Sequence, residues 1–511
     1  MSLRGTALAR ARVCLIVIPS FLLFGYNQSN IGGTLNYPSF IRYFPAIDTS
    51  TTTGSVKATN AKLQGTIVAI YTVGCLIGAL AVTPIGNKIG RRKSLMIAAA
   101  ITAIGQILQS SSFSLSQLIV GRIVSGIGNG GVNAVVPVWQ SECTAPVSRG
   151  KNVVIVGIFI SSGIAAAGWV NVGFSYISAS EVAWRFPLAL PIVFTLMIMA
   201  FTLLFPESPR WLINQGRLTE AHEVMRKLSK DQIIDDGALS LEIDNISSVH
   251  QQASQRERGF LDLFKPSSQR IFYRLCLAIS INFCAQMTGA NVVSYYGSTI
   301  FKESLGLPEK KAALLNAGVL TWKIVAAVSA YFSVDRFGRK PLFITACLGM
   351  GLSMAALCGS VWAIEYRDSF GASVAATFFL FAFMCFFPLG FIGANFLYSA
   401  EIAPQDLRLH LAAIGTATHW LFNFVIVEIT PIAFVTIRWK YYIVYAVIGV
   451  SVAAVVYFLF PETNGRSLEE MDELFSDPEH WWQVPGYARA LKTHTPYISP
   501  TKSSATHIEK I

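Results

Sequence analysis

Charge is scarce in this chain. Asp, Glu, Lys and Arg make up 14% of its 511 residues, against roughly 25% in an average soluble domain. Hydrophobic residues make up 53%, and the mean hydropathy is +0.50, a composition that excludes a soluble globular protein. Acids are rarer than bases, 29 against 40, for a net charge of +11. That excess does not point to nucleic acid, because the basic residues fall in short loops between apolar runs, where the positive-inside rule accounts for them. The eight cysteines, at 14, 75, 143, 276, 284, 347, 358 and 385, have neither metal-ligand spacing nor the pattern of a disulfide framework. No nucleophile motif or phosphate loop occurs, and the glycines of "GIGNGG" at 126 suit close helix packing. Neither an enzyme nor a cofactor or metal site is therefore expected. The sequons at Asn27 and Asn245 fall in a span and in a cytosolic loop, where glycosylation does not reach.

Long apolar runs are what the chain has in abundance. About 20 residues at 1.5 Å each cross a ~30 Å hydrocarbon core, and twelve such spans are expected, near 12–33, 62–84, 93–112, 115–137, 150–175, 183–205, 271–300, 311–334, 341–364, 372–399, 408–434 and 439–460. The fold class is an all-α membrane protein. Lys88, Arg91, Arg92 and Lys93 follow the second span, and Arg336, Arg339 and Lys340 the eighth. Both loops should face the cytosol, and an even span count leaves both termini there. The opening "LRGTALARARVCLIVIPSFLLFGY" has the charged and apolar regions of a signal peptide without a small-residue cleavage site, and reads as a retained first helix. The expected division is a first six-helix bundle over 1–205, a cytosolic loop over 206–270, a second bundle over 271–460 and a cytosolic tail over 461–511.

The halves repeat each other. "NKIGRRK" at Asn87 returns as "DRFGRK" at Asp335, an offset of 248; Glu142 with Arg149 returns as Glu401 with Arg408, an offset of 259; "PESPR" at Pro206 returns as "PETNGR" at Pro461, an offset of 255. Parallel repeats of six helices are an architecture in which two bundles rock about a midplane site. An acid at one helix end and a base one loop later can pair with the basic loop motif. The expected gate therefore comprises Arg91, Arg92, Glu142, Arg149, Glu207, Arg210, Asp335, Arg336, Arg339, Glu401, Arg408 and Glu462, tying cytosolic helix ends together while the outer side is open.

These residues resemble the sugar porters of the major facilitator superfamily, most of all the fungal ones. The resemblance runs from Phe24 to Glu470 and rests on the ordered set "FGYN" at 24, "GRIVSGIGNGG" at 121, "WRFP" at 184, "PESPRWL" at 206, "QMTGANVVSYY" at 286, "DRFGRK" at 335, "HWLFNF" at 419 and "PETNGRSLEE" at 461. It implies two six-helix bundles, short helices in the cytosolic loop over 206–270, transport of a sugar or sugar-like solute without a cofactor, and a monomer in a lipid bilayer. Several positions depart from the family pattern. The seventh span's paired glutamines read Ala285 and Gln286, a fifth-span glutamine reads Gly157, a tenth-span tryptophan reads Phe396, an eleventh-span amide reads His419 and an eighth-span asparagine reads Lys323. Lost bulk at Gly157 and Ala285 leaves room for a disaccharide as one alternative, and the cation at 323 leaves a sugar acid or quinate-like anion as another. The family's proton-coupled members usually carry Asp after "FGY", paired with the fourth-span Arg. Here Asn27 stands there opposite Arg122, as in facilitative uniporters, so downhill transport is expected, with His419 as the one midplane group that could carry a proton instead.

Depth supports three of these positions independently. Lys323 lies twelve residues from both Lys311 and Asp335, Gln286 twelve from Arg274, and His419 eleven from Arg408, so all sit ~16–18 Å along their helices, at the midplane. Gln286, Asn291, Lys323, Phe396, His419, Trp420 and Asn423 are accordingly the expected solute site, amides for hydroxyls and aromatics for a ring face. Tyr295 and Tyr296 are expected to pack in the helix or gate, and Glu428 to lie near the outer surface. The rival class is a transporter-like sugar sensor, which tends to carry a long cytosolic tail; about 50 residues follow Pro461 here.

Overall fold

The computed structural model describes residues 4–143, 149–228, 243, 260–265, 267, 269–404, 407–466 and 468–490; within these, the side chains of 83, 149–154, 260–261, 335, 408–409 and 468–469 lie outside the described set. Twelve long helices are numbered here in chain order. The first six are α1 (Gly5–Thr34), α2 (Gly54–Ile89), α3 (Arg91–Ser110), α4 (Leu115–Glu142), α5 (Arg149–Ser175) and α6 (Val182–Thr202). The second six are α7 (Ile271–Ser304), α8 (Glu309–Phe337), α9 (Arg339–Arg367), α10 (Phe370–Glu401), α11 (Arg408–Thr436) and α12 (Lys440–Leu459). Eleven are long and apolar enough to cross a membrane by composition alone. The exception is α3, which opens on Arg91, Arg92 and Lys93 and buries Thr102, Gln106 and Gln109. Its polar face turns inward, where Gln106 accepts a 2.9 Å hydrogen bond from Thr195 of α6.

Several helices outrun the spans expected from hydropathy. α2 has 36 residues, ~54 Å at 1.5 Å each, so both ends project beyond a ~30 Å hydrocarbon layer. Hydropathy reports the lipid-facing stretch, whereas the hydrogen-bonded helix continues past it into water.

Two long helices are broken midway. α7 stops at Met287 and resumes at Ala290 across Gly289, held at φ +87°, and α10 stops at Phe391 and resumes at Ala394 across Gly393, at φ +79°. Only glycine adopts this left-handed conformation without cost. Such breaks leave backbone and the flanking side chains free to face a cavity. Within the first half α3 packs on α4, α2 on α4 and α1 on α5; within the second, α9 packs on α10 and α12, and α7 on α11. Between the halves α2 packs on α11, α5 on α8, and the resumed part of α7 on α1.

Short helices attach to one end, called here the basic end because Lys88, Arg91, Arg92 and Arg339 lie there. Pro209–Asn214 docks under the first half through Trp211, whose indole donates to the Asn87 carbonyl at 2.9 Å. Leu468–Ser476 docks under the second: the fully buried Arg274 pairs with Asp472 at 2.6 Å and covers the Phe475 ring at 4.2 Å. Removing one partner of a fully buried pair costs roughly 3–5 kcal/mol, but the Asp472 side chain is 35% exposed and water screens it. Asp472→Ala should fall below that range, also because the Ile402 and Met471 carbonyls accept from Arg274. Unfolding in detergent should register a loss of about 1–2 kcal/mol; an unchanged transition would show that this ion pair adds nothing to stability.

Candidate functional site

The break in α7 sets two amides facing each other. Asn291, in the first turn after Gly289, donates to the Gln286 side-chain oxygen, and the Gln286 amide nitrogen lies 2.8 and 3.0 Å from the ring nitrogens of His419 on α11. The Gln286 amide nitrogen points at the imidazole, and which ring nitrogen it engages depends on the His419 tautomer. Aromatics border the line. The His419 ring lies 4.9 Å from that of Phe396 on α10 and 5.6 Å from Trp420, and Trp420 meets Phe24 of the first half edge-on at 5.5 Å. Phe396 is 40% exposed, whereas Trp420 and Gln286 are buried. One turn along α11, Asn423 is fully buried beside the Tyr295 hydroxyl, which its amide can hydrogen-bond.

The expected residues thus divide. Gln286, Asn291, Phe396, His419 and Trp420 stand together across α7, α10 and α11, and Asn423 lies one turn on. Lys323 does not touch them: its ammonium donates to the Ser294 hydroxyl at 3.3 Å and lies 5.1 Å from the Phe387 ring. The room expected at Gly157 and Ala285 is absent. A Cβ on Gly157 would stand 2.0 Å from the Ile392 side chain, so isoleucine occupies the space of the missing glutamine, and Ala285 is packed into the second-half core. Neither position opens extra room beside the amides in this state.

The expected face-off of Asn27 and Arg122 is not formed either. Arg122, fully buried, donates to the Ile67 and Val68 carbonyls of α2 at 3.2 and 2.9 Å and stacks on Tyr71 at 4.8 Å. Asn27 accepts from Asn30 at 3.4 Å, and its own amide nitrogen is buried without a partner. The α2 carbonyls satisfy the guanidinium, so an amide at 27 has no charge to answer.

The repeated motifs form two copies of one knot at the basic end. In the first half Arg91 binds Glu142 through two bonds, at 2.9 and 2.8 Å, while the Glu207 carboxylate accepts the backbone N–H groups of Arg91 and Arg92 at 3.0 and 3.2 Å. In the second, Arg339 binds Glu401 at 2.9 Å and Glu462 accepts the N–H groups of Arg339 and Lys340 at 2.9 and 3.0 Å. Each distant glutamate caps the N-terminus of α3 or α9, where free N–H groups and the helix dipole favour an anion. Gly90 and Gly338, at φ +92° and +88°, bring those N-termini against the carboxylates. Two residues expected in the gate stand outside it among the described residues: Arg210 and Arg336 are exposed, and Arg336 lies 5.6 Å from the Phe337 ring. Both point away from the packed helices, so position on the turn, not proximity in sequence, decides which base is used. The side chains of Arg149, Asp335 and Arg408 lie outside the described residues.

At the opposite, far end the halves are bolted to each other. Ser29 donates to the Ser294 carbonyl at 3.1 Å, Asn36 to Thr299 at 3.4 Å and Thr66 to the Glu428 carboxylate at 2.7 Å, while nearer the midplane Trp169 donates to Thr321 at 2.9 Å. Glu428, expected near the outer surface, lies in this seam with its second oxygen buried and unpartnered. Tyr295 and Tyr296 pack in the same seam with Ile31, Leu35 and Val427. Both basic-end knots stand while the far end is shut, so the expectation that they mark a state open on the outer side is corrected: each is made within one half.

A broken-helix polar site between two repeated halves now meets the record of known proteins. Residues 13–475 match the family described as "Sugar (and other) transporter". The chain belongs to that family. It is similar to the MFS-type transporter oryC of Aspergillus oryzae, 36% identical over 458 residues that cover 89% of this chain and 83% of that one. It is also similar to the Sugar transporter STL1 of Saccharomyces cerevisiae, 31% identical over 94% of this chain and 84% of that one. Among solved structures, the proton:xylose symporter XylE bound to 6-bromo-6-deoxy-D-glucose superposes with a TM-score of 0.73 at 25% identity, over 92% of this chain and all of that one. The protein is a multi-pass membrane transporter with the twelve-helix major facilitator fold, and not an enzyme.

Reading the sequence missed the bolts between the transporter's halves. Ser29, Thr66, Ser294 and Thr321 are ordinary small polar residues in apolar helices, where back-bonding to the helix is common. The one local signal was the glycine pair at 32 and 33 in the middle of an apolar run.

Proposed function

We propose that the transporter carries a monosaccharide or similarly hydroxylated solute downhill by alternating access, the solute lying against Gln286, Asn291, His419 and Asn423 with Phe396 and Trp420 at its ring face. The observation that carries this reading is the amide line in the α7 break. It offers a donor and acceptor series beside aromatic faces, the chemistry a hydroxylated ring requires. The names of relatives support the solute class: a Hexose transporter 2 of Kluyveromyces lactis is 30% identical over 95% of this chain. One feature supports downhill transport: Asn27 cannot titrate. The division into bundles over 1–205 and 271–460 with a loop between and a tail after, a monomeric state, cytosolic termini and basic loops, and residence in the plasma membrane belong to the same proposal. The knots of Arg91, Glu142 and Glu207 and of Arg339, Glu401 and Glu462 then hold each half rigid while the halves rock.

Proton symport is the second reading, favoured by the buried, unpartnered oxygen of Glu428 between the halves. Uptake of labelled sugars by the purified protein in liposomes, with and without a pH gradient, separates the two. Downhill transport predicts saturable uptake that stops at equal concentrations and ignores a protonophore. Accumulation that collapses with a protonophore would establish symport. In the same assay Asn27→Asp should make uptake slow as pH rises, because a buried carboxyl without a cation partner must be neutral for the halves to close on it. A flat profile in that variant would mean that residue 27 does not enter the cycle.

A further inference from the structure

Lys323 is a buried cation with too few partners. It is 3% exposed in the middle of α8, and its ammonium makes one hydrogen bond, 3.3 Å to the Ser294 hydroxyl. That hydroxyl in turn donates to the Ala290 carbonyl at 3.0 Å. An ammonium has three donors, so two remain unused; the face of the Phe387 ring at 5.1 Å stabilises the charge without accepting a hydrogen bond. No ion pair to Lys323 occurs among the described residues. Charged groups within a membrane are normally paired or turned toward a polar cavity, and a buried charge left unpaired is strongly unfavourable. The structure supplies a position for the missing partner. Ser294 is one turn beyond Asn291 on α7, on the same face at i+3, and its carbonyl is the acceptor that Ser29 of the opposite half reaches across to at 3.1 Å. The ammonium therefore lies beside the seam between the halves, one helical turn, ~5 Å, along α7 from the amide line.

We propose that Lys323 is the anion-pairing residue of the solute site and that the preferred solute is a polyhydroxylated carboxylate, a sugar acid, whose hydroxyls meet Gln286 and Asn291 while its carboxylate reaches Lys323. The proposal rests on the solute site proposed above and adds the charge of the solute. A carboxylate accepts both unused donors, and it enters a site where the first half contributes no competing acid among the described residues in contact with Lys323. Neutral hexoses occupy the amide line and leave the ammonium unpaired.

The test is competition, measured on the purified transporter in detergent as thermal stabilisation by D-glucuronate and by D-glucose at neutral pH, where the acid is ionised. Charge-assisted hydrogen bonds exceed neutral ones by about a factor of ten in affinity, so half-maximal stabilisation by glucuronate should come at a roughly tenfold lower concentration than by glucose. Lys323→Gln, which keeps a donor for Ser294, should bring the ratio of the two concentrations to about one, and Lys323→Arg should keep it. Equal potency of the two sugars in the wild type, with both lost in Gln286→Ala, overturns the anion while leaving the proposed site intact. A wild-type preference for glucuronate that persists in Lys323→Gln assigns the anion elsewhere and also overturns the proposal. If Gln286→Ala alters neither ligand, the site itself is wrong. The wild-type ratio stands as a test even where a variant does not fold.

Discussion

Gly32→Val is expected to leave a folded transporter that binds solute and does not move it. In the far-end seam a Cβ on Gly32 would stand 1.8 Å from the backbone oxygen of Tyr295 in the opposite half, and backbone cannot swing aside as a side chain can. To admit even a methyl group α1 and α7 must separate, which breaks the Ser29 bond to the Ser294 carbonyl. Overpacking of this kind costs about 1–3 kcal/mol, so Gly32→Ala should reduce the shut population, and with it the uptake rate, by roughly five- to 150-fold. Valine, branched and larger, should abolish uptake. A second contact is less close but still impossible for a real Cβ: one on Gly65 would lie 2.4 Å from the Glu428 backbone oxygen, so Gly65→Val should behave alike. Gly359, with open space where its Cβ would be, is the control. Because the obstruction acts on one state only, solute should still stabilise the Gly32→Val protein thermally. Normal uptake by that variant would show that the shut far end is not part of the cycle.

Gln286→Ala should raise the apparent KM for the transported solute by roughly five- to 150-fold with the protein folded and inserted. The side chain serves two neighbours, so its loss orphans the Asn291 donor and the His419 ring nitrogen as well as any solute hydroxyl it bound. Each unsatisfied buried group costs about 1–3 kcal/mol. Asn291→Ala should have a smaller effect in the same direction, since Gln286 keeps its contact with His419. Unchanged KM in both variants would remove the amide line from the solute site.

How far these features could be read from the chain depends on what encodes them. The spans and the internal repeat were legible because lipid imposes hydropathy on every lipid-facing turn and because the basic-loop motif must rebuild one local knot twice; Gly90 and Gly338 even share their backbone angles, φ +92° and ψ 168° against φ +88° and ψ 169°. α3 was expected as one of twelve apolar spans, yet it is the least apolar of them, since its polar side chains face α6 and α4 and need no water. Depth counting brought Gln286 and His419 to one level, and they meet. It brought Lys323 to that level too, yet depth does not fix azimuth, and the lysine turns to Ser294 instead. The absence of a cavity at Gly157 was beyond the sequence, because Ile392, which fills it, comes from a helix 235 positions later. The seam at Thr66 and Glu428 was beyond it for the same reason: its partners are chosen by how one half docks on the other, a relation no local pattern carries.

Counterflow tests the central claim most directly. Liposomes holding the purified transporter are loaded with a high concentration of unlabelled solute and diluted into a trace of the labelled one, with no pH or ion gradient. A carrier whose solute site opens to one side at a time must exchange, so the label should enter, overshoot its outside concentration and then decay, and Gly32→Val should abolish the overshoot. Stabilisation by solute without any counterflow in the wild type would contradict the account and leave a receptor that binds without transporting.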